Sequence, residues 1–211
     1  MEPLSFILSI QYLRTRFGKP LPGSSAHFTM APLYRQDPAL SDVRGKPCRE
    51  AAVLALLYPL EEGVPAVILT ERRDHLNKHA GQISFPGGRR EPDESLLQTA
   101  LRETHEEIGL PPETVDILGG LTPLYIPPSN FCVYPFVGVL PAPPILRLQD
   151  EEVAAILHAP LPLLLDPATR QREDRLLHGK TVIIPFFHVN GHKVWGATAM
   201  MLAELLALFE A

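Results

Sequence analysis

Proline sets the first limit on what this chain can fold into. The 211 residues include 23 prolines, about twice the ordinary share. Each lacks a backbone donor and has a fixed φ, so long helices and central strands cannot run through them freely. The prolines punctuate the chain, at Pro111-Pro112, Pro127-Pro128, Pro141, Pro143-Pro144, Pro160 and Pro162, and each cluster marks an element boundary. Residues 4–16 read as a short helix with apolar and basic faces. Residues 18–47, rich in Pro, Gly and Ser without a sustained period, read as a loop or surface wrap. Two apolar runs of strand length, 51–58 and 66–70, are separated by the turn-like Pro59-Leu60-Glu61-Glu62-Gly63 and fit a buried hairpin, with helix left open for the first. Residues 115–121, 131–140 and 182–189 read as further strands, with Pro135 and Pro185 pushing theirs toward edges or bulges. Residues 93–108 and 197–208 read as helices. Neither a repeat nor a linker divides this series. The expected organisation is one mixed α/β domain over 48–211, preceded by a helix and surface-wrapping segment at 1–47.

Composition narrows the function classes. Apolar residues are 45% and charged residues 20% of the chain, enough for a real core and incompatible with wholesale disorder. The longest apolar runs reach about half of the ~20 residues that a bilayer crossing needs. The net charge of −5 gives no global attraction for nucleic acid or anionic lipid. The expected partner is a small molecule, with neither nucleic acid nor membrane, and a polyanion must be handled locally by a few basic side chains or by metal ions. Cys48 and Cys132 are too few for a disulfide framework and show no zinc spacing. With no secretory pattern in residues 1–16, they suggest a reducing compartment, the cytoplasm, with Cys132 a small core residue.

The segment 93–108 breaks the rules of a helix built for stability. At 100° per residue, Leu97, Leu101, Thr104 and Ile108 fall within an arc of about 60° that suits a core. Glu103, Glu106 and Glu107 occupy an arc of about 100° on nearly the opposite side. Gly109 is a natural C-terminal stop, and Pro111 prevents continuation. Like charges at i, i+3 and i+4 cost about 0.2–0.5 kcal/mol each, and acids at the negative end of the helix dipole about 0.3–1 kcal/mol. A solvated acidic face softened by Arg102 is the bland explanation. The preceding Phe85-Pro86-Gly87-Gly88 argues for a functional one, because two glycines let the backbone turn sharply and approach a ligand closely. Clustered carboxylates beside such a turn suit a hard cation such as Mg²⁺, which usually carries phosphate oxygens with it.

Gly88, five residues, Glu94, seven residues, then Arg102-Glu103-Thr104-His105-Glu106-Glu107-Ile108-Gly109-Leu110 resembles the Nudix box of the Nudix hydrolases, G-x5-E-x7-R-E-U-x-E-E-x-G-U with U apolar. The one departure is Thr104, where a bulky apolar residue is usual; it lies on the core-facing stripe and bears on packing. The resemblance implies an α/β/α sandwich with a mixed β-sheet and a loop–helix–loop that holds Mg²⁺ or Mn²⁺. It also implies hydrolysis of a diphosphate linked to another moiety. It makes Glu103, Glu106 and Glu107 metal-ligand carboxylates and Arg102 with Glu94 a bracing pair. A direct contact within that pair is left open, since eight residues of straight helix span ~12 Å and Arg102 can equally pair with Glu106.

The sequence before the box bears on the substrate. Leu69, Thr70, Leu76, His79, Gly81, Gln82 and Phe85-Pro86-Gly87-Gly88 resemble the extra motif of the coenzyme A pyrophosphatase branch, approximately L-L-T-x(6)-L-R-x-H-x-G-Q-x-x-F-P-G-G. Asn77 departs from its arginine, a loss that Lys78, Arg72 or Arg73 can offset. The resemblance implies a coenzyme A diphosphatase yielding 3′,5′-ADP and 4′-phosphopantetheine. Substrate contacts are then expected from Arg72, Lys78, His79, Gly81, Gln82, Phe85, Gly87 and Gly88. Glu106 is the favoured base, with Glu151 and Glu152 as further candidates or, alternatively, the solvated start of a helix. ADP-ribose, dinucleotide cofactors and nucleoside triphosphates are the rival substrates, and a catalytically silent nucleotide-binding module is the rival class. His75 and His79 lack the glutamate of a zinc protease motif. Trp195 reads as a packing residue. Residues 18–47 are left open between covering the site and forming a homodimer interface.

Overall fold

The computed structural model describes residues 5–73, 81–148, 153–177 and 179–210. In chain order the elements are α1 (Phe6–Phe17), α2 (Ser24–Thr29), α3 (Pro38–Ser41), β1 (Arg49–Pro59), β2 (Pro65–Arg72), β3 (Ile83–Ser84), β4 (Gly87–Arg89), α4 (Leu96–Ile108), β5 (Asp116–Gly120), β6 (Leu124–Ile126), β7 (Phe131–Val139), β8 (Val153–Pro160), α5 (Leu161–Leu165), β9 (Arg170–Leu177), β10 (Lys180–Val189), β11 (His192–Trp195) and α6 (Gly196–Glu210).

Strands β1 to β8 form one mixed sheet. β1 runs parallel to β7 along nine residue pairs, from Arg49↔Phe131 to Leu57↔Val139. On its other side β1 meets β2 only near its C-terminal end, at Leu57↔Val67 through Pro59↔Pro65. There the two strands part. β3 pairs with the far end of β2 at Thr70↔Ser84, and β4 pairs with the start of β1 at Ala51↔Arg89 through Val53↔Gly87. The expected hairpin of 51–58 and 66–70 is therefore present but splayed, and the loop Phe85-Pro86 is wedged into the opening, where the Leu54 N–H donates to the Pro86 carbonyl at 2.9 Å.

Alternation along β1 builds two cores. Ala52, Leu54, Leu56 and Tyr58 face one side with Ala66, Ile68, Ala100 and Ile108, beneath α4. Ala51, Ala55 and Leu57 face the other, with Phe85, Phe187 and most of α6. The result is the layered α/β architecture expected, with α4 on one face of the sheet and α6 on the other. The antiparallel sheet β11-β10-β9 adds Phe187, Val189 and Val194 to the α6 side.

Several expectations need correction. Residues 18–47 are not a bare wrap: α2, α3 and buried Ala26, His27, Met30 and Ala31 anchor them. The anchor is electrostatic. Glu204 is 0% exposed within the apolar α6 and accepts from Gly23 N–H at 2.9 Å, His27 Nε2 at 2.9 Å, Thr122 N–H at 3.0 Å and Thr122 Oγ1 at 2.6 Å. Burial alone would raise its pKa, yet these hydrogen bonds leave it below the ordinary value.

Pro135 lies in a strand paired on both sides. Its carbonyl accepts from Leu121 N–H at 2.8 Å, so its nitrogen faces the gap between β5 and β6, where no donor is required. Cys48 and Cys132 are joined in a disulfide between residues 84 apart in sequence, which corrects the expectation of free thiols and removes the cysteine argument for a reducing compartment. No described helix is long and apolar enough to cross a membrane.

Candidate active site at the glycine loop and α4

The glycine turn is shaped by what its missing side chains allow. Gly87 has φ +146°, and a Cβ there would lie 2.3 Å from the Ala52 carbonyl oxygen and 2.6 Å from Val53 Cα. A Cβ on Gly88 would lie 2.4–2.6 Å from the Glu103 carboxylate. The first glycine lets β4 close on β1; the second leaves a notch that a carboxylate of α4 occupies.

Helix α4 starts at Leu96, three residues later than expected, with Ser95 as N-cap. Ser95 Oγ accepts from the Gln98 N–H and Gln98 Oε1 accepts from the Ser95 N–H, a reciprocal capping box. The late start settles the Glu94–Arg102 contact. Glu94 lies outside the helix, after Asp93 at φ +68°, and turns back to receive Arg102 Nε at 3.1 Å and Nη2 at 2.9 Å. The ~12 Å separation assumed helix over the whole interval. Glu94 also accepts from Glu91 N–H and Thr99 Oγ1, both at 2.8 Å, and the Arg102 hydrogen bonds hold its pKa down at about 2.

Arg102 is the hub of the acidic cluster. Besides Glu94, it reaches Glu103 Oε1 at 3.0 Å, Glu106 Oε2 at 2.9 Å and the Arg89 carbonyl at 3.1 Å. Glu103 is pushed up in pKa by burial, which its neighbour Arg102 only partly offsets. Glu107 was expected opposite the core face but is 7% exposed, and its Oε2 accepts from the Gly87 N–H at 3.2 Å. The buried stripe of α4 is Ala100, Thr104 and Ile108 with Thr99 and Glu107, while Leu97 and Leu101 are half-buried at its margins. Thr104 is buried, as expected, and satisfies its hydroxyl on the Ala100 carbonyl at 2.6 Å.

Glu103 and Glu107 thus both face the Gly87-Gly88 backbone, while half-exposed Glu106 is drawn outward by Arg102. Among the described residues no three acidic, histidine or cysteine side chains are already gathered as a metal cluster. The donor set nevertheless suits a hard divalent cation: carboxylate oxygens only, those of Glu103 and Glu107 beside the Gly87-Gly88 backbone and that of Glu106 from the same turn of α4.

The structure brings some of the other expected residues to this loop. The Arg72 N–H donates to the Gln82 carbonyl and the Gly81 N–H to the Arg72 carbonyl, both at 3.0 Å, with Gly81 at φ +66°. Phe85 is corrected from a substrate contact to a packing residue, being 1% exposed beneath the loop. Lys78, His79, His75, Asn77, Glu151 and Glu152 lie outside the described residues, but the segment after Glu152 is the strand β8 rather than a helix. Trp195 is half-buried with the Arg175 guanidinium 4.4 Å from its ring centre. Sequence reasoning passed over Arg89 and Arg90, which follow the glycines directly and line a neighbouring cleft with Glu50 and Tyr134; adjacency to Gly87-Gly88 was the available signal.

Comparison with known proteins agrees with this geometry. The NUDIX domain family matches residues 49–178. An uncharacterized Nudix hydrolase NudL of Yersinia pestis (strain Pestoides F) is 39% identical over 158 residues, 74% of this chain and 78% of that protein. The same description and figures apply to a protein of Yersinia pseudotuberculosis serotype O:1b (strain IP 31758). Among solved structures, the MutT protein from Methanosarcina mazei Go1 superposes with a TM-score of 0.50 over 79% of this chain and 97% of that one, at 20% identity, a likeness of fold alone. With a family match across 49–178 that contains the glycine loop and the whole of α4, this chain belongs to the Nudix hydrolases, the pyrophosphohydrolases of nucleoside diphosphate derivatives.

Proposed function

We propose that the chain hydrolyses the diphosphate of coenzyme A or its acyl derivatives, giving 3′,5′-ADP and (acyl-)4′-phosphopantetheine, with Mg²⁺ or Mn²⁺ held by Glu103, Glu106 and Glu107. The observation that carries this reading is the pairing of β2 with residues 81–84. It folds the branch-motif residues Leu69, Thr70, Gly81 and Gln82 into one hairpin leading directly into the glycines faced by Glu103 and Glu107.

A divalent cation there supplies positive charge against the diphosphate and acidifies the attacking water. The chain supplies the rest. Gly87 lets β4 close on β1, and Gly88 leaves the notch in which the Glu103 carboxylate is seated. Arg102 fixes the helix to the loop through Glu94 and the Arg89 carbonyl, setting where Glu103 and Glu107 point. Glu106 is half-exposed, and its ion pair among the described residues is to Arg102; it swings inward and accepts the water proton. Asn77 in place of the motif arginine is the one feature that favours another nucleoside diphosphate derivative, such as ADP-ribose.

The test is turnover of coenzyme A with and without Mg²⁺, with 4′-phosphopantetheine and 3′,5′-ADP identified by mass, beside ADP-ribose, a dinucleotide and a nucleoside triphosphate. Metal-dependent cleavage of coenzyme A supports the reading. Inert coenzyme A beside well-cleaved ADP-ribose refutes it.

A further inference from the structure

A cleft of about 440 Å³ opens next to the glycine loop, walled by Lys46 of the N-terminal segment, Arg49 and Glu50 of β1, Arg89 and Arg90, and Tyr134 of β7. Arg89 lies two residues beyond Gly87 along β4, about 7 Å at the rise of a strand. The cleft therefore begins where the proposed diphosphate site ends.

Its charges are not cancelled internally. Arg90 is committed to Glu50 at 2.6 Å and to the Glu94 carbonyl at 2.7 Å. The other cations rest on neutral partners. Arg49 donates to the Ser129 carbonyl at 2.7 Å, with its guanidinium 4.2 Å from the Phe131 ring centre. Lys46 donates to the Ala39 carbonyl at 3.1 Å over the ring of Tyr125. Such contacts fix a side chain in place without neutralising it. Arg89 is exposed and makes no ion pair among the described residues. Among the described residues Lys46, Arg49 and Arg89 thus make no ion pair; the acids near them are the exposed Glu91 and Asp93, and Asp42, which is bonded to Arg44 and feels the charge of Lys46.

Resting on the coenzyme A reading, we propose that this cleft binds a phosphomonoester on the ribose of the substrate's nucleoside half, and so selects diphosphates that carry this extra phosphate over those that lack it. A phosphomonoester brings close to two negative charges and three acceptor oxygens. The planar fork of Arg89 matches that geometry in two parallel hydrogen bonds, Lys46 adds a point charge and Arg49 a second guanidinium. One sugar ring with its two phosphate esters bridges the step from the glycine loop to the cleft.

The test compares kcat/KM for coenzyme A and for 3′-dephospho-coenzyme A in the wild type, Arg89→Ala, Arg89→Lys and Lys46→Ala. The wild type is expected to prefer coenzyme A. Arg89→Ala is expected to lower kcat/KM for coenzyme A about tenfold, through KM, while sparing the dephospho substrate, with Arg89→Lys restoring part of the loss. Equal use of both substrates by the wild type, or equal slowing of both in the variants, overturns the proposal. Cleavage of neither substrate means that the coenzyme A reading has failed. Titration calorimetry with 3′,5′-ADP and 5′-AMP then decides the cleft on its own. Tighter binding of 3′,5′-ADP that Arg89→Ala abolishes supports the assignment; indifference to the 3′-phosphate overturns it.

Discussion

Two adjacent glycines separate the architecture of the site from its chemistry, because an alanine at each meets a different kind of neighbour. At Gly88 the added methyl would lie 2.4 Å from the Glu103 carboxylate carbon, and the backbone there does not require a positive φ. Ordinary contact begins near 3.4 Å, so the end of a flexible side chain must retreat by about 1 Å. That retreat costs little stability, within about 1 kcal/mol, but a misplacement of about 1 Å in catalytic machinery costs on the order of 10²-fold in rate. At Gly87 the methyl would strike the backbone, 2.3 Å from the Ala52 carbonyl oxygen, at φ +146°. Overpacking and backbone strain together amount to about 2–6 kcal/mol. Gly88→Ala should therefore unfold in urea almost like the wild type while losing about 10²-fold in metal-dependent turnover, and Gly87→Ala should shift the urea midpoint strongly. Full turnover in Gly88→Ala would show that the position of Glu103 does not matter to the reaction. A Gly87→Ala protein as stable as the wild type would refute the steric argument itself.

Other predictions follow from the same contacts. Glu106→Gln removes a half-exposed pair with Arg102 worth about 0.3–0.5 kcal/mol, so thermal unfolding should scarcely move while turnover drops by orders of magnitude; retained activity would assign the base elsewhere. Glu94 titrates at about 2 rather than 4.5, so its stabilisation is complete above about pH 4.5 and is lost as pH falls through 2. The gap in unfolding midpoint between wild type and Glu94→Gln should accordingly be open at pH 7, at about 1–3 kcal/mol, and closed near pH 2. Cys48→Ser opens a disulfide spanning 84 residues, which by loop-closure entropy removes about 4–5 kcal/mol; wild type under a strong thiol reductant should unfold at the same denaturant concentration as the variant.

The fold was legible where local pattern and tertiary role coincide. Residues 51–58 alternate between two cores, and each set finds its own helix layer. The final helix was equally plain, because apolar side chains surround it and almost all are buried. The strands β8 and β9 were missed for a physical reason. β8 carries the exposed Ala154 and His158, and β9 the sequence Arg170-Gln171-Arg172-Glu173-Asp174-Arg175, all polar and none of it buried. An edge strand held by backbone pairing to β2 or β10 needs little apolar signal of its own. The short helices of residues 18–47 were illegible because their anchor is a carboxylate 181 residues away from Gly23, a contact with no local pattern.

The acidic helix shows the same division more sharply. Its charges were readable as a violation of helix electrostatics, and that violation pointed to the site. Their directions were not readable, because they depend on where the helix begins. Ser95 and Gln98 cap α4 at Leu96, which releases Glu94 to clamp Arg102. Arg102 in turn holds Glu103 and pulls Glu106 outward, while Glu107, seated against Gly87 N–H, is buried where a helical wheel placed it in solvent. Three carboxylates at i, i+3 and i+4 repel one another, and the capping residues settle how that repulsion is relieved: one is neutralised from outside, one sits beside a missing side chain, and one rests on a backbone donor. Moving the cap, with Ser95→Ala and Gln98→Ala together, should therefore lower turnover beyond the ~1 kcal/mol that a lost N-cap costs in stability. The Glu94–Arg102 clamp and both inward carboxylates depend on that start point. If the double variant loses stability and keeps its rate, the carboxylates are positioned by the sheet alone and the helix start is incidental.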